Sequence, residues 1–192
     1  MSFGFEQSVV IIDEAIKHAN SQKVIMLAAA SNKGGNGVTT WPARLPEVMS
    51  IYATDGLGNR CTFTPNPSSN ADNFSILGHA VKSFWPPCLK QGAEVHKSGT
   101  STATPIAAGI AALVLQYMRY VLSERAQIPQ ADAEMFCKLR TTAGMSTVFR
   151  RMAPTKRDGY DYIVPWNFMS KAKPREASTV YDIVLGDLRD HT

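Results

Sequence analysis

Ser98-Gly99-Thr100-Ser101-Thr102-Ala103-Thr104-Pro105 runs directly into Ile106-Ala107-Ala108-Gly109-Ile110-Ala111-Ala112-Leu113-Val114-Leu115. This junction of a glycine-marked turn with an apolar run decides how the chain is read. The run leaves almost no polar face before Gln116, and Pro105 stands near its start, where a missing N–H is tolerated. A helix buried at the centre of a domain is expected, with the apolar stretch 106–115 too short to span a bilayer. Ser101 lies at the turn that opens this helix, so the positive end of the helix faces its hydroxyl. A serine so placed is commonly no more than a cap.

Upstream, residues 24–30 (Val-Ile-Met-Leu-Ala-Ala-Ala) are continuously apolar and bounded by the Gly-rich stretch 31–37, as suits a strand covered on both faces. Before it, Val9, Ile12, Ile16 and Ala19 recur at helical spacing opposite Glu6, Asp13, Glu14 and Lys17, and the short apolar stretch 1–5 reads as the end of a strand. Strand, helix, strand implies a right-handed parallel crossover. Residues 48–54 form a further strand ahead of the turn signal Asp55-Gly56-Leu57-Gly58-Asn59, and 74–81 another after a Pro- and Asn-rich loop. The alternation is that of an α/β domain. Downstream come two weaker helical stretches, 131–140 and 145–152, and then a turn at Asp158-Gly159 into a last strand through Val164. Residues 170–178, rich in Lys, Ala and Pro, read as a linker, which separates a domain over 1–169 from a basic tail over 170–192.

With 192 residues, 44% hydrophobic and 19% charged, the chain is long enough for one domain or most of one. The net charge of +4 owes much to residues beyond Lys138: Arg140, Arg150, Arg151, Lys156, Arg157, Lys171 and Lys173. That cluster lacks the interleaved aromatics of a base-stacking surface, so a solvated face is expected rather than a nucleic-acid partner. Cys61, Cys88 and Cys137 are odd in number and widely spaced, which argues against a disulfide framework and a zinc site. Free thiols, with no charged-then-apolar leader over 1–7, lead to the expectation of a reducing, cytoplasmic location. No D-x-D-x-D cluster is present, and Asp55, Asp72 and Asp161 read as turn residues, so neither metal nor cofactor is expected.

Residues 99–113 resemble the nucleophile motif of the subtilisin-like serine peptidases, G-T-S-x-A-x-P followed by an Ala- and Gly-rich buried helix. Ala28-Ala29-Ala30-Ser31-Asn32-Lys33-Gly34-Gly35 resembles the family segment that carries the oxyanion asparagine. Trp41-Pro42-Ala43, with the stretch from Pro46 to Asp55, resembles P-A-x-x-P-x-V-I-x-V-x-A-x-D, and Met1-Ser2-Phe3-Gly4 resembles the M-S-x-G strand of the substrate cleft. The spacer 82–97, unlike that of secreted members, is together with the stretch 157–162 similar, more weakly, to intracellular multidomain fungal members. The resemblance implies a subtilisin-like three-layer α/β fold with a mainly parallel sheet, and a serine endopeptidase acting on polypeptides. Ser101 would be the nucleophile and Asn32 the oxyanion donor. Ser2, Phe3 and Gly4 on one edge, and Ala28, Ala29, Ala30 and Ser31 on the other, would flank the substrate, with Thr40 at the floor of the specificity pocket.

A serine nucleophile needs a histidine to take its proton and a carboxylate to orient that histidine. In subtilases these come from D-T-G and H-G-T segments ahead of the M-S-x-G strand, and neither segment is present; none of His18, His79, His96 and His191 is followed by Gly-Thr. The chain is therefore expected to be the C-terminal part of a catalytic domain, incomplete without an N-terminal half. A catalytically inactive interaction module is the alternative.

Overall fold

The computed structural model describes residues 1–69, 71–86, 88, 94–166 and 177–190. After α1 (Val10–Ser21) come β1 (Met26–Ala29), β2 (Val48–Thr54), β3 (Phe74–Leu77), β4 (Val81–Phe84) and β5 (Glu94–Lys97). There follow α2 (Thr100–Ser123), α3 (Gln130–Leu139), α4 (Thr142–Met152), β6 (Lys156–Arg157), β7 (Tyr160–Tyr162) and α5 (Ala177–Asp190). The main sheet has the order β1-β2-β3-β7-β6, parallel except for the β6–β7 pair.

Alternation along the strands sorts the core into layers. Met26, Ala28 and Val48 pack with Ile16 of α1, whereas Leu27, Met49, Ile51, Ala53, Phe74 and Ile76 meet Ala103, Ala107, Ala111, Val114 and Met118 of α2. Of the segment 24–30, Met26 to Ala30 is the buried strand expected, the ladder running one residue past β1 as Ala30 N donates to Ile51 O at 3.0 Å, whereas Val24 stands ahead of the strand and is 49% exposed. The weaker helices also form, and α4 starts earlier than residue 145 because Thr141 caps it, accepting from Gly144 N at 3.1 Å.

Four expectations are corrected. The strand expected over 74–81 breaks at Gly78, whose N–H donates to Thr54 O (2.9 Å) and whose C=O accepts from Gly99 N (2.8 Å). A Cβ on Gly78 would stand 2.7 Å from Ala53 Cβ and 2.9 Å from Gly99 O, so the close approach requires glycine. The chain then turns through Ala80 into the antiparallel β4–β5 hairpin, which returns it to Gly99. Second, α2 is not buried all round. It has 24 residues, with an 18-residue window of mean hydropathy 1.5, enough by length and composition to cross a membrane, yet its buried stripe lies on the sheet while Leu113 is 63% exposed. Pro105, Ala108, Gly109 and Ala112 share that open face.

Third, Asp55 does close its turn, accepting from Leu57 N and Asn59 N at 2.8 Å, but Asp72 and Asp161 have other roles. Asp72 holds Arg150 by two hydrogen bonds of 2.8 and 2.7 Å, and Asp161 is buried within β7, 3.6 Å from Lys156 Nζ. Fourth, residues 177–190 of the expected tail form a helix, while 167–176 lie outside the described residues. Tyr181, Val184, Leu185 and Leu188 recur at helical spacing and are buried in the core shared with α2 and α4. Asp132 of α3 anchors α5, accepting from Tyr181 Oη (2.7 Å), Arg189 (3.0 Å) and Arg125 (3.0 Å). Burial pushes the Tyr181 phenol up to about 12. Leu188→Ala is expected to cost about 2–5 kcal/mol in urea-induced unfolding; a change below about 0.5 kcal/mol, the scale of a surface substitution, would remove α5 from the cooperative unit.

The three cysteines are free, Cys61 buried with its thiol pushed up by that burial, Cys88 and Cys137 exposed.

Candidate active site

In open parallel sheets the functional crevice lies outside the carboxyl ends of the strands, and here those ends deliver Ala30-Ser31-Asn32 from β1 and, through Gly78, the turn Ser98-Gly99 that opens α2. Gly99 has φ 152° and ψ 160°, a conformation essentially restricted to glycine, and a Cβ there would stand 3.1 Å from Asn32 Nδ2. The backbone of the turn therefore lies directly against the asparagine amide.

Thr100 fixes that amide. Its N–H donates to Asn32 Oδ1 at 2.8 Å and its Oγ1 to the same oxygen at 3.1 Å, while Oγ1 also reaches Ser31 O at 3.2 Å. A backbone N–H can only donate, so Oδ1 must face Thr100, and the two Nδ2 donors are turned the other way. They make no hydrogen bond among the described residues, and Asn32 is exposed. An amide held by its oxygen with its N–H groups free is prepared to receive a negatively charged oxygen.

Ser101 follows at once and is half-exposed. It is not the cap of α2: that position is Gly99, and Ser101 Oγ donates instead to Ser2 O at 3.4 Å. In return Ser2 Oγ donates to Ser101 O at 3.0 Å. The segment that holds Ser2 runs along the outer edge of β1, where Met1 donates to Leu27 O and accepts from Ala29 N, the parallel ladder pattern around Ala28. Phe5 then pairs with Trp41.

The structure thus brings together Ser2, Asn32, Ser101, Gly4, Ala30, Ser31 and Thr40. Thr40 is buried, its N and Oγ1 both bound to Ala30 O at 2.7 and 2.9 Å, and a Cβ on Gly4 would stand 2.1 Å from Thr40 Oγ1. Thr40 accordingly fills the space between Gly4 and Ala30. Phe3 is 49% exposed beside Phe5, ring centroids 5.8 Å apart. Ala28 and Ala29 are buried in and beside the core, so only their backbone is available to a ligand. Sequence patterns had not singled out Thr100 as the residue that orients Asn32; the signal for it was a hydroxyl and an N–H offered by one residue between the glycine and the serine.

No histidine bonds to Ser101 among the described residues. His18 is exposed on α1, His79 at the bend after β3, and His96 on β5 opposite Lys82, while His191 lies outside the described residues. No group of three His, Cys, Asp or Glu side chains gathers as a metal site among the described residues. A cavity of about 760 Å³ lies at the other end of the sheet, beside the first residues of β2 and β3, lined by Arg44, Ser50, Asp72, Ser146 and Arg150 among others, and takes in none of the residues around Ser101.

A serine in the first turn of a helix packed on the sheet, faced by an anchored amide at the end of a neighbouring parallel strand, is the layout of a serine-type hydrolase of α/β fold. The model of the subtilase family, peptidase S8, matches residues 1–143, and the chain belongs to that family, one of serine-type peptidases. It is 33% identical over 118 residues to M-protease of Shouchella clausii (strain KSM-K16), covering 60% of this chain and 29% of that protein. It is 36% identical over 115 residues to a thermostable alkaline protease of Halalkalibacterium halodurans, covering 59% of this chain and 30% of that one. The chain thus spans under a third of the length of these two relatives. Its fold is similar to that of the S218A mutant of the protease domain of PatA, with a TM-score of 0.65 at 23% identity, covering 97% of this chain and 58% of the other.

Proposed function

We propose that the full-length protein is a serine endopeptidase in which Ser101 is the nucleophile, and that the histidine and aspartate it needs come from a further polypeptide segment, the N-terminal half of the catalytic domain. The observation that carries this is the Thr100 lock on Asn32, which leaves amide donors free beside the Ser101 turn. Ser101 Oγ attacks the scissile carbonyl as its proton passes to the histidine. The oxyanion is met by Asn32 Nδ2–H and Ser101 N–H at the positive end of α2. The intermediate collapses with cleavage of the C–N bond as the histidine passes its proton to the departing amine, and water, deprotonated by the same histidine, then hydrolyses the acyl-enzyme to a carboxylic acid product and restores Ser101. The domain takes in residues 1–169 and, since α5 shares its core, the helix to 190.

The open side of the fold supports a further segment. Among the described residues β1 is the edge strand of the sheet, paired on its outer side with Met1, and the exposed face of α2 lies next to it. Between them is a groove of about 310 Å³ lined by Ile25, Leu27, Ala108, Ala112 and Leu115, with Lys23 and Arg140 at it as well. A strand edge paired outward at Met1 and open beyond it, beside the exposed face of α2, is what a strand-and-helix segment would cover. Three free thiols fit a reducing, cytoplasmic setting.

The substrate would lie extended between the backbone of Ser2, Phe3 and Gly4 and that of Ala30 and Ser31. With Thr40 filling the space at Gly4, a primary pocket floored by Thr40 would be shallow and would suit a small side chain. Thr40→Gly is expected to raise kcat/KM for a phenylalanyl over an alanyl peptide nitroanilide by about tenfold, the scale of a few methylene contacts. An unchanged ratio would show that Thr40 is not the floor. The proposal itself is tested by casein cleavage: the full-length protein should cleave casein, and prior treatment with a fluorophosphonate should stop it. One observation favours a second reading, a peptide-binding module without turnover: no base bonds to Ser101 among the described residues. Binding of extended peptides by the full-length protein with no cleavage would establish that reading instead.

A further inference from the structure

In an α-helix the carbonyl of each residue accepts from the N–H four positions on. For Ser101 that position is Pro105, which has no N–H; as the sixth residue of α2 it stands inside the helix, past the first turn where the lack would be tolerated. The Ser101 carbonyl is therefore left open within the first turns of α2. Ser2 Oγ occupies the vacancy at 3.0 Å, and Ser101 Oγ turns to Ser2 O at 3.4 Å, so two residues 99 apart in sequence hold each other by complementary bonds. The carbonyl, N–H and side chain of Ser101 share one short piece of backbone, and whatever holds the carbonyl also sets the aim of the other two.

We infer that Ser2 is a positioning residue for Ser101, its hydroxyl standing in for the N–H that Pro105 lacks. This rests on Ser101 being the nucleophile. Were residue 105 able to donate, the helix would satisfy the carbonyl by itself and the cleft edge would be uncoupled from the nucleophile turn. Pro105 reserves that carbonyl for Ser2. The edge that would align the substrate backbone is thereby tied to the turn that would attack it.

A double-mutant cycle on the full-length protein separates this from a generic packing role. With Pro105 present, Ser2→Ala should slow fluorophosphonate labelling about fivefold, the scale of one hydrogen bond, and Ser2→Thr, which keeps the hydroxyl, should recover the rate to within about twofold. In the Pro105→Ala background, where the helix supplies its own donor, Ser2→Ala should cost less than about 1.5-fold. Thermal unfolding of the same four proteins should show the same coupling, a fall of about 2–4 °C with Pro105 and under about 1 °C after Pro105→Ala. If the parent does not label at all, the proposed nucleophile fails and the thermal cycle alone decides the coupling. If the parent labels and Ser2→Ala costs nothing, or costs as much after Pro105→Ala as before, the inference is overturned while the proposed function stands.

Discussion

Ser101→Ala should bring peptide hydrolysis by the full-length protein to background while leaving its unfolding free energy within about 0.5 kcal/mol of the parent. The two halves of that result have separate causes. The only side-chain hydrogen bond of Ser101 among the described residues is a long one of 3.4 Å to Ser2 O in an exposed setting, and the hydroxyl caps no helix N–H, so little structure depends on it. Alanine also keeps the backbone of the turn, and with it the Asn32–Thr100 contacts and the bond from Ser2 Oγ to Ser101 O. What disappears is the atom that would bond to the acyl group. A serine that merely started the helix would behave in the opposite way, costing stability and leaving hydrolysis intact. Measuring kcat/KM alongside a urea titration distinguishes the two.

Asn32→Asp should lower kcat/KM by about 10²–10³, the scale on which a subtilisin responds to loss of its oxyanion-hole asparagine. The substitution is chosen for what it keeps. A carboxylate oxygen can still accept from Thr100 N and Oγ1, the bonds now made to Oδ1 at 2.8 and 3.1 Å, so the anchoring of the turn survives. The Nδ2 donors vanish and a negative charge stands where the oxyanion would form, which disfavours the tetrahedral intermediate. Asn32→Ala would remove donor and anchor together and leave the effects mixed. Full activity in Asn32→Asp would mean that Asn32 serves only to hold Thr100.

The sheet and the helix that carries Ser101 were legible because their signals are local. Residues 24–30 and 48–54 are largely apolar runs, and the glycine–serine turn precedes an Ala-rich helix whose composition carries it. Contacts over long separations were not legible. That position 78 must be glycine follows from the closeness of Ala53 Cβ and Gly99 O, neither of which is near it in sequence. Helix α5 was hidden by the Lys- and Pro-containing stretch before it, which drew the linker reading as far as Ser178, although Tyr181, Val184, Leu185 and Leu188 already have helical spacing. The open face of α2 was hidden for a different reason: an apolar composition shows that a face must be covered, not what covers it. At the site, motif positions located Ser101 and Asn32, whereas the orientation of the Asn32 amide depends on two donors from Thr100 and could be read only from geometry.

The central claim is that Ser101 is an activated nucleophile, and the most direct measurement is to locate a fluorophosphonate adduct by mass spectrometry after reaction with the folded full-length protein. The account predicts one phosphonylated site, Ser101, within the tryptic peptide 98–119, absent after heat denaturation before labelling and absent in Ser101→Ala. A complete, folded protein that carries no adduct, or carries it on a different serine, would contradict it.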